Sequence, residues 1–300
     1  MDEKTTVGAA SGAEAARPAI PRHPLADFTA DRRLWMLAAM AVVIGTGGAC
    51  SAWVLLKLIA LVTNLVWFGH FDVVSRSLAD ARPSPWMVAA PVLGGLAIGL
   101  MARFGSEKIR GHGIPEAIEA ILVSGSKVQP RVALLKPIAS AVTIGTGGPF
   151  GAEGPIIMTG GALGSIWAQF LHLTADERKT LLVAGAAAGM AATFNAPLAS
   201  VLLAVELLLF EWRPRSFIPV VAAVAWATVV RVPLLGSGAI FPMPPGTLHL
   251  DISVYGLCIV SGILAGRLAL LATTLVYLSE DTFQRLPIHW MWWPAIGGII

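Results

Sequence analysis

Between Leu34 and Leu56 the chain runs for 23 residues without one charged side chain, and roughly 20 apolar residues suffice for a helix to cross a bilayer core. Further charge-poor apolar runs occur at Leu58–Phe71, Trp86–Ala102, Pro137–Ala152, Gly154–Ala175, Thr180–Val205, Phe217–Val230, Ile252–Gly266 and Leu268–Ser279, and another begins at Trp290. A soluble domain carries about 25% charged residues. This chain carries 13%, with 56% hydrophobic residues. These features predict an all-α, polytopic membrane protein. Several runs are too short for a clean crossing, and 31 Gly and 20 Pro are spread through the chain. Tilted and broken helices, whose freed backbone groups line a polar cavity, accommodate that pattern; so does close helix packing on glycine.

Residues 1–30 are rich in Ala, Pro and charge and lack the apolar core of a signal peptide, so they read as a disordered cytoplasmic tail. Asp31-Arg32-Arg33, directly before the first run, favours a cytoplasmic N-terminus. The segment Trp293–Ile300 reads as a span that opens without completing, the pattern of a shortened chain. Trp290, Trp292 and Trp293 resemble an interfacial aromatic belt.

Other classes find little support. Cys50 and Cys258 lie inside apolar runs and read as small buried hydrophobes. The six His are scattered, and no H-E-x-x-H metal motif occurs. Gly145-Thr146-Gly147-Gly148 lacks the Gly-Lys-Ser/Thr of a phosphate loop, so no nucleotide cofactor is expected. No basic stripe interleaves with aromatics, which excludes nucleic acid.

Three segments share one design: Gly111-His112-Gly113-Ile114-Pro115, Gly151-Ala152-Glu153-Gly154-Pro155 and Asn195-Ala196-Pro197. Pro suits the first turn of a helix and Asn an N-cap. Each segment therefore reads as a helix N-terminus at membrane depth, with unpaired N–H groups and the positive end of the helix dipole. An anion is the natural partner of such an end. Glu153 is an ionisable group between two apolar runs, and such groups mark sites. Ionised, it would compete with the anion for the same N–H groups; protonated, it would withdraw. The alternative is a carboxylate that merely caps its own helix.

These residues resemble the CLC family of chloride channels and chloride/proton exchangers. G-H-G-I-P is similar to its G-S-G-I-P signature, G-A-E-G-P to its G-R/K-E-G-P signature, and Phe194-Asn195-Ala196-Pro197-Leu198-Ala199 to its F-N-A-P-L-A element. The resemblance implies a homodimer in the cell membrane, with one anion pathway per subunit built from two inverted repeats. The first repeat would occupy about 31–235, and an incomplete second about 250–300. Glu153 would be the gate. His112, Gly113, Ile114, Pro115, Ala152, Glu153, Gly154 and Pro155 would surround chloride or a similar anion. The Asn195 end would lie near the dimer interface instead of the pathway.

The departures carry information too. His112 replaces the family's Ser; it either donates an imidazole N–H to the anion or turns away and leaves binding to the backbone. Ala152 replaces a basic residue, which lowers the local positive potential. Leu207 follows Glu206 where many exchangers carry a second, proton-relaying Glu, which leans towards passive conduction. Glu206 itself is either part of a proton path or a helix-packing group. Glu116 and Glu119, on one helical face, are expected to serve polar packing near the helix start. The second-half G-x-F-x-P motif is missing, since Gly238-Ala239-Ile240-Phe241-Pro242 has the wrong spacing. The sequence thus predicts anion transport, possible coupling to protons and no enzymatic activity. Two alternatives accompany that reading. One is a shortened, non-conducting subunit. The other is an intramembrane enzyme using Glu153, for which no partner motif is found.

Overall fold

The computed structural model describes residues 32–81, 83–238, 240 and 251–299, so the 1–30 tail and most of the Gly238–Pro242 segment lie outside the described residues. Helices α1 (Arg32–Thr63), α2 (Trp86–Phe104), α3 (Ile114–Leu122), α4 (Pro130–Gly145) and α5 (Glu153–Phe170) are followed by α6 (Ala175–Phe194), α7 (Pro197–Ala204), α8 (Pro214–Leu235), α9 (Ile252–Arg285) and α10 (Trp293–Gly297). No strand occurs among the described residues. The runs that the sequence splits at Lys57 and Arg267 are single helices, α1 and α9. One charge interrupts an apolar pattern but breaks no backbone hydrogen bond.

The core is built on α6. Every residue from Thr180 to Thr193 is buried, and α1, α5, α7 and α8 pack around it. A helix buried on all sides needs small residues, because lipid tails are as apolar as Leu and association rests on close packing. A Cβ on Gly160 would lie 2.3 Å from the carbonyl oxygen of Gly185, and one on Gly164 would lie 2.0 Å from that of Leu181. These two glycines, four residues apart, set α5 directly on the α6 backbone. Gly45 and Gly48 do the same for α1, against Ala223 of α8 and Ala188 of α6. On α2, Gly95 and Gly99 meet the backbone of Pro294 and Met291, while Gly94 faces Thr146 at the end of α4.

Polar groups tie the helix ends. Glu177, in the first turn of α6, accepts hydrogen bonds from the backbone N–H (3.0 Å) and the hydroxyl (2.9 Å) of Thr174 and pairs with Arg33 of α1. Asn195, expected to cap the start of α7, instead closes α6: it is left-handed (φ 51°), with Ala196 preceding α7. Asn tolerates that conformation, which commonly ends helices. Cys50 and Cys258 are both exposed, against the expectation of burial. In a membrane protein the outer surface is itself apolar, so a hydrophobic run does not imply an interior position. Helix α9 contributes no buried residue.

Candidate anion site

Two helix starts meet back to back. Before α3, Gly111 (φ 85°) and Gly113 (φ 115°) take backbone conformations that L side chains rarely adopt. Pro115 occupies the first turn, and the helical ladder opens with Ala117 N–H donating to Gly113 O at 3.0 Å. At α5 the ladder opens with Ile156 N–H donating to Ala152 O at 3.0 Å. A Cβ on Gly154 would lie 1.7 Å from His112 O, and one on Gly113 would lie 2.3 Å from Gly154 O. No side chain fits at either place. The two glycines allow backbone to touch backbone, and this juxtaposes the positive ends of α3 and α5.

The donors left over define what the site offers. Gly113 N–H is already engaged, donating to the Glu116 carboxylate at 2.6 Å. Among the described residues the N–H groups of His112, Ile114, Glu153 and Gly154 have no protein acceptor; Pro115 and Pro155 have none to give. His112, Pro115 and Glu153 are exposed, Ile114 and Ala152 half-buried, Gly113, Gly154 and Pro155 buried. The imidazole and the Glu153 carboxylate form no hydrogen bond or ion pair among the described residues, so Glu153 does not cap its own helix with its side chain.

The remaining candidates lie elsewhere. Glu206 is exposed, in a π-helical turn (Val205–Leu209) that continues α7 and touches α3; Leu207 is half-buried beside it. Asn195 belongs to the α6–α7 corner and is not part of the paired helix starts. Glu116 fulfils the expected polar role at the start of α3. Glu119 is exposed and, with Glu107, Lys108, Arg110 and Lys127, lines a cavity of about 220 Å³. No cluster of His, Cys, Asp or Glu able to hold a metal occurs among the described residues.

Sequence reasoning missed Lys136. It lies in α4 at 2% exposure, and its ammonium donates to Ile109 O (2.9 Å), Gly111 O (2.7 Å) and, more weakly, Arg110 O (3.4 Å). The available signal was a lone Lys inside the otherwise apolar stretch Val132–Val142.

Comparison with known proteins identifies the family. The family described as "Voltage gated chloride channel" matches residues 93–300. The voltage-gated ClC-type chloride channel ClcB of Salmonella typhimurium is 32% identical over 221 residues, covering 72% of this chain and 52% of the relative. The same-named protein of an Escherichia coli strain is 32% identical over 232 residues, covering 75% and 55%. The chain thus spans about half the length of these relatives. A CLC-type fluoride/proton antiporter superposes with a TM-score of 0.72 at 20% identity, covering 90% of this chain and 65% of the other. A slow cyanobacterial Cl-/H+ antiporter gives 0.67 at 24%, covering 90% and 64%. Among the described residues four helices are long and apolar enough to cross a membrane: Arg32–Phe68, Trp86–Phe104, Pro214–Leu235 and Ile252–Arg285. With its paired helix starts, its all-helical fold and this match, the chain is a multi-pass membrane protein that belongs to the voltage-gated chloride channel (CLC) family.

Proposed function

We propose that this chain takes part in transmembrane transport of chloride or a similar small anion, with the anion held between the starts of α3 and α5 and gated by Glu153. The observation that supports this reading is the backbone contact of Gly113 with Gly154, which brings the unsatisfied N–H groups of two helix starts close together. An anion is the ligand such a place binds best. Glu153 stands there, exposed and, among the described residues, without a hydrogen-bond or ion-pair partner. Its carboxylate is the natural competitor of the anion. Residues 31–235 form the first repeat in this reading, and 250–300 the start of the second. The protein acts as a homodimer in this reading.

Glu153→Gln tests the gate. The amide keeps the shape and removes the charge. In proteoliposomes the parent's chloride flux should change with external pH, and the variant's flux should not. If the parent couples chloride to protons, the variant should also stop moving protons while chloride still flows; in a channel only the pH response disappears. A variant that keeps the parent's pH response would remove Glu153 from the gate.

A further inference from the structure

Lys136 is buried without a carboxylate within ion-pair distance among the described residues. Taking an ammonium out of water is costly unless dipoles replace the hydration shell. Here three successive carbonyls do so, from Ile109, Arg110 and Gly111. An ammonium has three protons to donate, and the chain before α3 curls around it as a loop curls around a bound cation.

In a planar trans peptide the C=O and the N–H point in opposite directions. Gly111 O is held by Lys136, so the N–H of His112, in the same peptide, points away from Lys136. Gly113 N–H is held by Glu116 Oε2 at 2.6 Å, so His112 O points the other way, where it meets Gly154. Both peptides flanking His112 are therefore set by side chains outside the loop. A Cβ on Gly111 would lie 1.5 Å from Glu116 Oε1, which shows how closely that carboxylate covers the turn.

We infer that Lys136 is a positioning residue for the anion site: by gathering the carbonyls of residues 109–111 it keeps the His112 N–H free and aimed, and with Glu116 it fixes the peptide planes on both sides of His112. The inference rests on the proposal that an anion binds between the starts of α3 and α5. It separates from two simpler roles. A lysine that only filled space would affect folding and leave binding unchanged. A lysine that acted only through its charge would change the affinity of all small anions by the same factor, because chloride, bromide and nitrate carry the same charge. Positioning alters the donor geometry and so changes their relative affinities.

Lys136→Met keeps the stem and removes the donors. Titration calorimetry of the purified, monodisperse full chain with chloride, bromide and nitrate reads the result. The expected outcome is chloride affinity weakened about tenfold, the scale of one buried hydrogen-bonding group lost, with the chloride-to-nitrate ratio moved at least about threefold and Lys136→Arg lying between the two. Should Lys136→Met not fold, Lys136→Gln, which retains two N–H donors on a shorter stem, is read by the same criteria. Unchanged affinities, or one common factor for all three anions, would overturn the inference while the site reading stands. A parent that binds none of the three would overturn both.

Discussion

Among the described residues His112 is the one side chain at the paired helix starts that departs from the motif in chemistry and is also exposed and without a hydrogen-bond or ion-pair partner. It is therefore where selectivity can be altered without disturbing the fold. His112→Ser should change relative permeability among chloride, bromide and nitrate by a factor of a few, about the worth of one hydrogen bond, as read by flux in proteoliposomes. Unchanged ratios would assign binding to backbone donors alone. Gly154→Ala should act differently. Its methyl would start 1.7 Å from His112 O, so the two helix starts must separate, and chloride affinity should fall about tenfold or more while His112→Ser retains it; calorimetry distinguishes the two. Much of this was legible in the order of residues: G-H-G-I-P and G-A-E-G-P announce two N-termini and an ionisable group. What was not legible is the contact between them. Lys136 was equally hidden, since its three carbonyl partners lie 25–27 positions back along the chain and no local spacing reports them.

At the scale of elements, close approach depends on glycines that carry no chemistry. Gly160→Leu and Gly164→Val each drive a side chain into the α6 backbone and should lower stability by about 1–3 kcal/mol, the usual cost of overpacking. Thermal unfolding in detergent should show the loss, whereas the same change at Gly262, which has open space around it, should leave the midpoint within error. Helix existence was readable from hydropathy. Helix boundaries were less so, because Lys57 and Arg267 interrupt composition without interrupting structure. The helix start at Pro197 was legible, but the role of Asn195 was misread for a related reason: Asn fits both a helix start and a left-handed helix end, and only the backbone decides between them.

Across the whole molecule, helices that can live in lipid differ from helices that hold the site. The four long apolar helices have mean hydropathies of 1.7–2.0 and are 0–39% buried. Helices α3 to α6, which make and frame the site, fall outside that set, being short, glycine-rich or charged at one end. Biogenesis depends on that difference. A segment enters the bilayer alone only if its own side chains favour lipid, so Trp86–Phe104 and Pro214–Leu235 should insert independently when fused to a glycosylation reporter, and Glu153–Phe170 should not. If Glu153–Phe170 inserts alone as efficiently as the other two, that distinction is lost. Otherwise the site-bearing middle of the chain must wait at the translocon until α1 is in place and α8 has emerged to enclose it. Mutations that weaken α1 or α8 would then appear first as failures of biogenesis, before any anion has been bound.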